Sequence, residues 1–141
     1  MALNHIFNIA GTALTAETMR LTTSTSNITN ANAVSGTPEG VYRAKYPIFR
    51  AIQAQASQLM SEENKLGGVK LDGIYESDSD PVKRYEPNNP VADSEGFVYA
   101  PNISRVEEMV NMISASQSYQ MNLEIMGTAK KLMQETLHLG E

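Results

Sequence analysis

Apolar residues recur every seven positions near the start of the chain. The row consists of Phe7, Leu14, Leu21 and Ile28, and Ala31 lies on the same stripe. This spacing predicts a helix over residues 3–33 that packs along a narrow seam. At 1.5 Å per residue, such a helix is about 45 Å long.

A second row with the same spacing occupies the end of the chain. It consists of Met112, Tyr119, Met126 and Met133, flanked by Ala115. Ser104 stands three positions before Glu107, which is the spacing of a capping box at the start of a helix. The pattern predicts a second long helix over residues 103–138.

Glycine and proline divide the middle of the chain into short pieces. Four of these pieces have the length and residue types of strands, at 41–49, 69–75, 82–86 and 97–100. Residues 50–65 are compatible with either a short helix or a polar extension of a hairpin.

The predicted fold class is mainly α with a small β-rich domain inserted between two long helices. The expected divisions are an N-terminal helix (1–35), a β-rich domain (36–101) and a C-terminal helix (102–141). The two helices are of similar length and both carry a stripe. We therefore expect them to pair antiparallel, with the middle domain at the far end of the pair.

The stretch TTSTSNITNAN at residues 22–32 continues the apolar row but contains few good helix formers, since nine of its eleven residues are Ser, Thr or Asn. Each such residue costs a helix roughly 0.5 kcal/mol relative to Ala. One interpretation is a helix that is weak in the free chain and becomes ordered in an assembly. The alternative is a plain loop between a shorter helix and the β-rich domain.

Composition excludes several classes of protein. The chain has 141 residues, a formal charge of −5 and scattered basic residues, which argues against nucleic-acid binding. It contains no cysteine, so structural disulfides and thiolate chemistry are excluded. No apolar run approaches the roughly 20 residues of a membrane span. The N-terminus lacks the features of a cleavable signal, so we expect a cytosolic protein or one exported by a route that reads no such signal.

Candidate chemistry is sparse. His5 and His138 lie near opposite ends of the chain, and the spacing of no catalytic triad or phosphate-binding loop is present. The acidic stretch 76–80 lacks the glycine and closing glutamate of an EF-hand and is followed directly by Pro81. We expect no enzymatic activity, no metal and no cofactor.

Several motifs together resemble the bacterial flagellar axial protein family. SNITNANAVSG (26–36) and VNMISASQSYQMNLEIM (110–126) are similar to its two terminal signatures. YRAK (42–45), YEPNNPVADSEGFVYAPNI (85–103) and LHLG (137–140) resemble its proximal rod members. The resemblance covers nearly the whole chain. It departs from the family pattern at Val34 and Ser35, and residues 50–68 follow no family pattern.

The resemblance implies a structural subunit of the flagellar rod, which crosses the periplasm and carries torque from the motor to the hook. It implies export by the flagellar type III apparatus without a cleaved signal. The implied partners are further copies of the chain, other proximal rod subunits, the junction protein between rod and MS ring, and the base of the distal rod.

On this interpretation the two apolar rows line helix seams in the assembly. Asn27, Asn30 and Asn122 are expected to make polar contacts that set the register of packed helices, as buried Asn does in coiled coils. Two other functions stay open from sequence: a different axial subunit of the rod or hook, and a periplasmic enzyme or carbohydrate-binding domain that uses the acidic stretch.

Overall fold

The computed structural model describes residues 2–52 and 67–138 of the chain. Helix α1 spans Ala2–Asn30 and helix α2 spans Arg105–His138. The described residues between them form a 3₁₀ turn and four strands. Their bounds are Pro38–Gly40 for the turn, Lys45–Ile52 for β1, Gly68–Glu76 for β2, Val82–Tyr85 for β3 and Phe97–Ala100 for β4. The predicted fold class, mainly α with a small β-rich part, is confirmed.

The two long helices pack against each other antiparallel, as the sequence predicted. At one end, the Arg105 guanidinium donates a hydrogen bond to the Asn32 side-chain oxygen over 2.6 Å. Further along, the Thr25 hydroxyl approaches the Met112 sulfur at 3.8 Å. At the other end, Phe7 at the start of α1 and Met133 near the end of α2 line a common cavity. The seam therefore extends over most of both helices.

The seam of α2 follows alternating steps of four and three residues. The covered positions are Glu108, Met112, Ala115, Tyr119, Asn122, Met126, Ala129 and Met133. Ala115 and Ala129 are buried in this row, and Ala10 is buried on α1. Because these side chains are small, the helix backbones can approach closely.

The described strands form two separate two-stranded antiparallel sheets. Strands β1 and β2 make a hairpin that pairs Lys45 with Glu76 and Ile52 with Gly68. This hairpin lies along α1: Asn27 hydrogen bonds to Lys45 and Thr12 hydrogen bonds to Val69. The expectation that the whole middle region sits at the far end of the helices is therefore wrong for this hairpin.

The second sheet, β3 and β4, does lie where α1 ends and α2 begins. A backbone bridge joins Ser35, just after α1, to Tyr99 in β4. Val98 is fully buried, with Val41, Ala44 and Ala100 also buried. These small residues form a compact core between the ends of the two helices.

The first strand begins later than the sequence predicted. Residues 41–44 are not extended into the sheet, and Val41 and Ala44 are instead buried side chains of the connection before it. The strand then continues past Phe49 to Ile52. Residues 53–65 of the ambiguous segment lie outside the described residues.

A larger side chain at a fully buried position between the two helices tests their packing. We expect Ala115→Leu to destabilise the protein by about 1–3 kcal/mol, because added methylene groups at a fully buried position force the helices apart. The measurement is the free energy of unfolding in urea. Ser114→Leu, at the exposed neighbouring position, is the matched control, and an equal loss in both variants would contradict a close seam at residue 115.

Candidate assembly interface

Among the residues that the structure describes, Asn27 makes the most side-chain hydrogen bonds, and it is 0% exposed. Its amide nitrogen donates to the Lys45 carbonyl over 3.0 Å, and its oxygen accepts from the Lys45 backbone N–H at 2.9 Å. The same oxygen accepts the Tyr42 hydroxyl proton at 2.9 Å. An Asn amide offers the same donor and acceptor as a peptide group. Asn27 thus bonds both backbone groups, N–H and carbonyl, that Lys45 presents at the edge of β1.

The serines and threonines around Asn27 also have partners within the chain. Thr23 and Ser24 are buried. Thr22 and Thr29 each donate a hydroxyl hydrogen bond of 2.8 Å to the carbonyl four residues earlier. Stretch 22–32 therefore belongs to the helix as far as Asn30, and tertiary contacts compensate for its low helix propensity.

Within one chain, each of the three asparagines expected to set register already has a hydrogen-bond partner, and that they set register between packed helices in an assembly stays a prediction. Asn27 binds β1 and Tyr42 and has no exposed surface left for a neighbouring subunit. Asn30 and Asn122 donate to Ser26 and Ser118, each in its own helix. Sequence reasoning could not choose among these acceptors, because an Asn side chain bonds backbone and side-chain groups equally well.

A cleft of about 410 Å³ separates the hairpin from the helix pair. Its α1 wall carries the Glu17–Arg20 ion pair, with 3.0 Å between the charged atoms. Tyr46 of β1 also lines the cleft, and Asn111 contributes from α2. The hairpin thus covers one flank of the helices without filling the space beneath it.

Close to this cleft, α2 buries a carboxylate. Glu108 is 2% exposed, and one of its carboxylate oxygens, Oε2, has no hydrogen-bond partner among the described residues. Burial raises the pKa of Tyr46 above its usual 10.0, and the adjacent Glu108 carboxylate raises it further. Glu108 was not predicted from the sequence, although it lies four residues before Met112 and so extends the row of Met112 and Ala115 towards the N-terminus.

The apolar residues predicted to line assembly seams lie on the facing sides of the two helices. Leu14, Leu21 and Ile28 of α1 are half-buried, as is Ala31 just after the helix, whereas Phe7 is 39% exposed. In α2, Met112, Tyr119, Met126 and Met133 are half-buried and Ala115 is buried. Within one chain these rows contact each other. That they also contact neighbouring subunits stays a prediction.

Much apolar surface is left uncovered. At the start of α2 an exposed group, 49–72% accessible, consists of Val106, Met109, Val110 and Ile113. The hairpin exposes a further group, 37–49% accessible, of Tyr46, Ile48, Leu71, Ile74 and Tyr75. Large apolar side chains left exposed in groups are typical of surfaces that bind other proteins.

Two further features of the described residues concern metal binding and membrane insertion. Within 2–52 and 67–138, no group of three or more His, Asp or Glu side chains could hold a metal ion. None of the helices described combines the length and apolar content that crossing a bilayer requires.

Comparison with known proteins agrees with an assembly function. Residues 94–139 match the family described as flagellar basal body rod FlgEFG protein C-terminal. Over 141 residues, covering all of both chains, the sequence is 45% identical to flagellar basal-body rod protein FlgC of Escherichia coli O157:H7. The corresponding identity is 43% for the FlgC protein of Yersinia enterocolitica, again over all of both chains.

The chain belongs to the FlgC family of flagellar basal-body rod proteins. A more distant member, from Buchnera aphidicola subsp. Acyrthosiphon pisum, is 37% identical over 142 residues and is also covered completely. Because the FlgC relatives align from end to end, the helices and the middle region are all included in the similarity. The resemblance inferred from the sequence motifs is confirmed.

Removing the Asn27 amide tests its role in holding β1 to α1. We expect Asn27→Ala to lower the free energy of unfolding by about 2–4 kcal/mol, because it leaves the Lys45 backbone groups and the Tyr42 hydroxyl without this partner. Hydrogen exchange at the Lys45 amide should accelerate as well. Asn30→Ala is the matched control, since Asn30 donates only within its own helix. Equal losses in the two variants would contradict the assignment.

The environment of Tyr46 predicts a dependence on alkaline pH. Its folded pKa is raised, so the unfolded chain loses this proton first as pH rises. The contribution of Tyr46 to the free energy of unfolding is therefore fully present below about pH 10 and falls as the pH rises above that value. Tyr46→Phe should reduce that fall, measured by urea unfolding between about pH 9 and 11. In an ultraviolet titration of tyrosine ionisation, Tyr46→Phe should remove one tyrosine that ionises at high pH. Tyr85→Phe, at an exposed site, is the control.

Proposed function

We propose that this chain is a structural subunit of the proximal rod of the bacterial flagellum. The observation that carries the proposal is the end-to-end identity of 45% to FlgC, a flagellar basal-body rod protein in Escherichia coli. Two features of the fold support it: a long antiparallel helix pair, and large apolar side chains left exposed on both α2 and the hairpin.

The proposed mechanism is mechanical. A rod that carries torque must resist bending and shear, and closely packed helices have few soft internal motions because protein interiors are as dense as organic crystals. In the proposed rod, the paired helices form the inner wall and the middle region lies outside them. The hairpin stiffens α1 along part of its length, since it is attached at Thr12 and at Asn27.

The partners in this proposal are further copies of the chain, other proximal rod subunits, the junction protein between rod and MS ring, and the base of the distal rod. The chain is exported by the flagellar type III apparatus without a cleaved signal and functions in the part of the rod that crosses the periplasm. The proposal includes no catalytic role and no cofactor.

A charge placed in the helix seam tests the proposal in cells. We expect Leu21→Asp to abolish incorporation into basal bodies and swimming, because Leu21 is half-buried in the contact between the helices. Incorporation is measured by immunoblotting of purified basal bodies. Gln117→Asp, at an exposed position on α2, should leave incorporation nearly unchanged.

Two controls separate the possible outcomes. Far-ultraviolet circular dichroism of both purified variants shows whether Leu21→Asp acts through folding of the chain or through assembly. Absence of the unmodified chain from purified basal bodies would overturn the proposed function itself. Normal swimming of the Leu21→Asp strain would overturn the role of the seam.

A further inference from the structure

The hairpin of β1 and β2 is attached to α1 at two places, and the first attachment is buried. Asn27 is 0% exposed and bonds both backbone groups of Lys45, accepting from the N–H over 2.9 Å and donating to the carbonyl over 3.0 Å. The Tyr42 hydroxyl donates to the same Asn27 oxygen over 2.9 Å. Next to Lys45, the Tyr46 side chain faces the buried Glu108 carboxylate of α2. We call this end of the hairpin the pivot.

The second attachment is a single hydrogen bond at the other end of the hairpin. The Val69 N–H donates to the Thr12 hydroxyl oxygen over 3.2 Å, and among the described residues this is the only hydrogen bond between α1 and β2. Thr12 in turn donates to the Ile9 carbonyl over 2.8 Å. Gly68 lies directly against Thr12, since a Cβ at Gly68, where φ is +135°, would stand 2.7 Å from the threonine oxygen. We call this end the latch.

The spacing of the two attachments matches on the helix and on the hairpin. Thr12 and Asn27 are about 22 Å apart along α1 at the usual helical rise. Lys45 and Ala51, which is the partner of Val69, are about 20 Å apart along β1. The hairpin therefore follows α1 from the pivot to the latch.

The cleft of about 410 Å³ lies between these two ends. Its α1 wall includes the small side chains of Ala13 and Ala16, and the hairpin lines it with Phe49 and Val69. Because the cleft separates the two walls, the middle of the hairpin is not packed tightly on α1. The pivot and the latch are thus the main connections between the hairpin and this helix.

A β-bulge lies between the pivot and the latch. Strand β2 has one residue more than β1 there, because Asp72 has no partner between Leu71 and Gly73. A bulge interrupts the ladder and bends the strand that carries it. The Arg50–Asp72 ion pair beside it spans 2.6 Å, but the Arg50 side chain is 72% exposed, so this pair stabilises the bulge only weakly. The hairpin can therefore bend at the bulge without separating its strands.

We propose that the hairpin is a hinged strap, which stays attached to α1 at the pivot, bends at the bulge and releases from α1 at the latch. This inference goes beyond the proposed function and does not depend on it. Release at the latch breaks one hydrogen bond. Release at the pivot would leave the Asn27 amide, the Tyr42 hydroxyl and the Lys45 backbone groups without these partners, which costs considerably more. Local opening therefore starts at the latch.

The strap gives one flank of the chain two shapes. In the closed shape, Phe49 and Val69 face Ala13 and Ala16 across the cleft. In the released shape, these side chains separate and become accessible. The contact between α1 and α2 is retained in both shapes, because the latch joins only α1 and β2. The same chain can therefore present this flank in two ways without unfolding its helices.

Hydrogen exchange of the unmodified full chain, followed by NMR, tests the asymmetry of the two ends. The Lys45 and Val69 amides form a matched pair, since each N–H donates to a side chain of α1. We expect the protection factor of the Val69 amide to be at least about tenfold lower than that of the Lys45 amide, because only the latch opens locally. Equal protection, or greater protection at Val69, would overturn the assignment of pivot and latch.

Spin-label distances test the movement itself, and the chain has no native cysteine to interfere. One label pair joins Lys70→Cys at the latch to Gln120→Cys, and the other joins Glu76→Cys at the pivot to Gln120→Cys; all three positions are exposed. Gln120 lies nine positions after the cleft-lining Asn111, so it is on the opposite side of α2. Thr12→Leu removes the hydroxyl acceptor and adds bulk where β2 approaches. We expect it to lengthen and broaden the first distance and to leave the second unchanged, as measured by double electron–electron resonance.

Two further variants serve as controls. Thr15→Leu, at an exposed position of α1, should leave both distances unchanged, and Thr12→Ser, which keeps a hydroxyl acceptor, should preserve the closed distance. An unchanged Lys70 distance in Thr12→Leu would overturn the latch, even if the Val69 amide exchanges rapidly. Equal lengthening of both distances would show that the hairpin detaches as a whole and would overturn the pivot.

Discussion

The contact between Asn27 and the first residue of β1 determines where the rest of the middle region lies. The sides of a helix have no free backbone groups, whereas the edge of a strand has a row of them. Where a strand edge faces a helix and excludes water, side chains of the helix must satisfy the backbone groups of that edge. Asn27 does this for Lys45. Nearer the start of α1, the Thr12 hydroxyl accepts a hydrogen bond of 3.2 Å from the Val69 N–H. The hairpin is held at two heights of α1, which gives the helix pair two unlike flanks.

The polar character of α1 has a physical explanation within a single chain. Charged residues on an exposed helix must remain hydrated or find ionic partners when they are covered. Threonines that donate to their own helix impose a smaller demand, and their methyl groups remain available for packing. Threonine has a low helix propensity, so these residues lower the intrinsic stability of the helix. It gains a surface that tolerates both water and protein, which suits a subunit that must exist before it is assembled.

The elements that rest on local periodicity could be predicted from the sequence. The seven-residue spacing of Leu14 and Leu21, and of Met112 and Tyr119, correctly indicated two long helices that pack along stripes. The position of the hairpin could not be predicted, because it depends on a contact between residues 27 and 45 that no local pattern encodes. The threonines of residues 22–32 are visible in the sequence, where they predict only a low helix propensity. The bonding of their hydroxyl groups becomes clear only from the helix geometry.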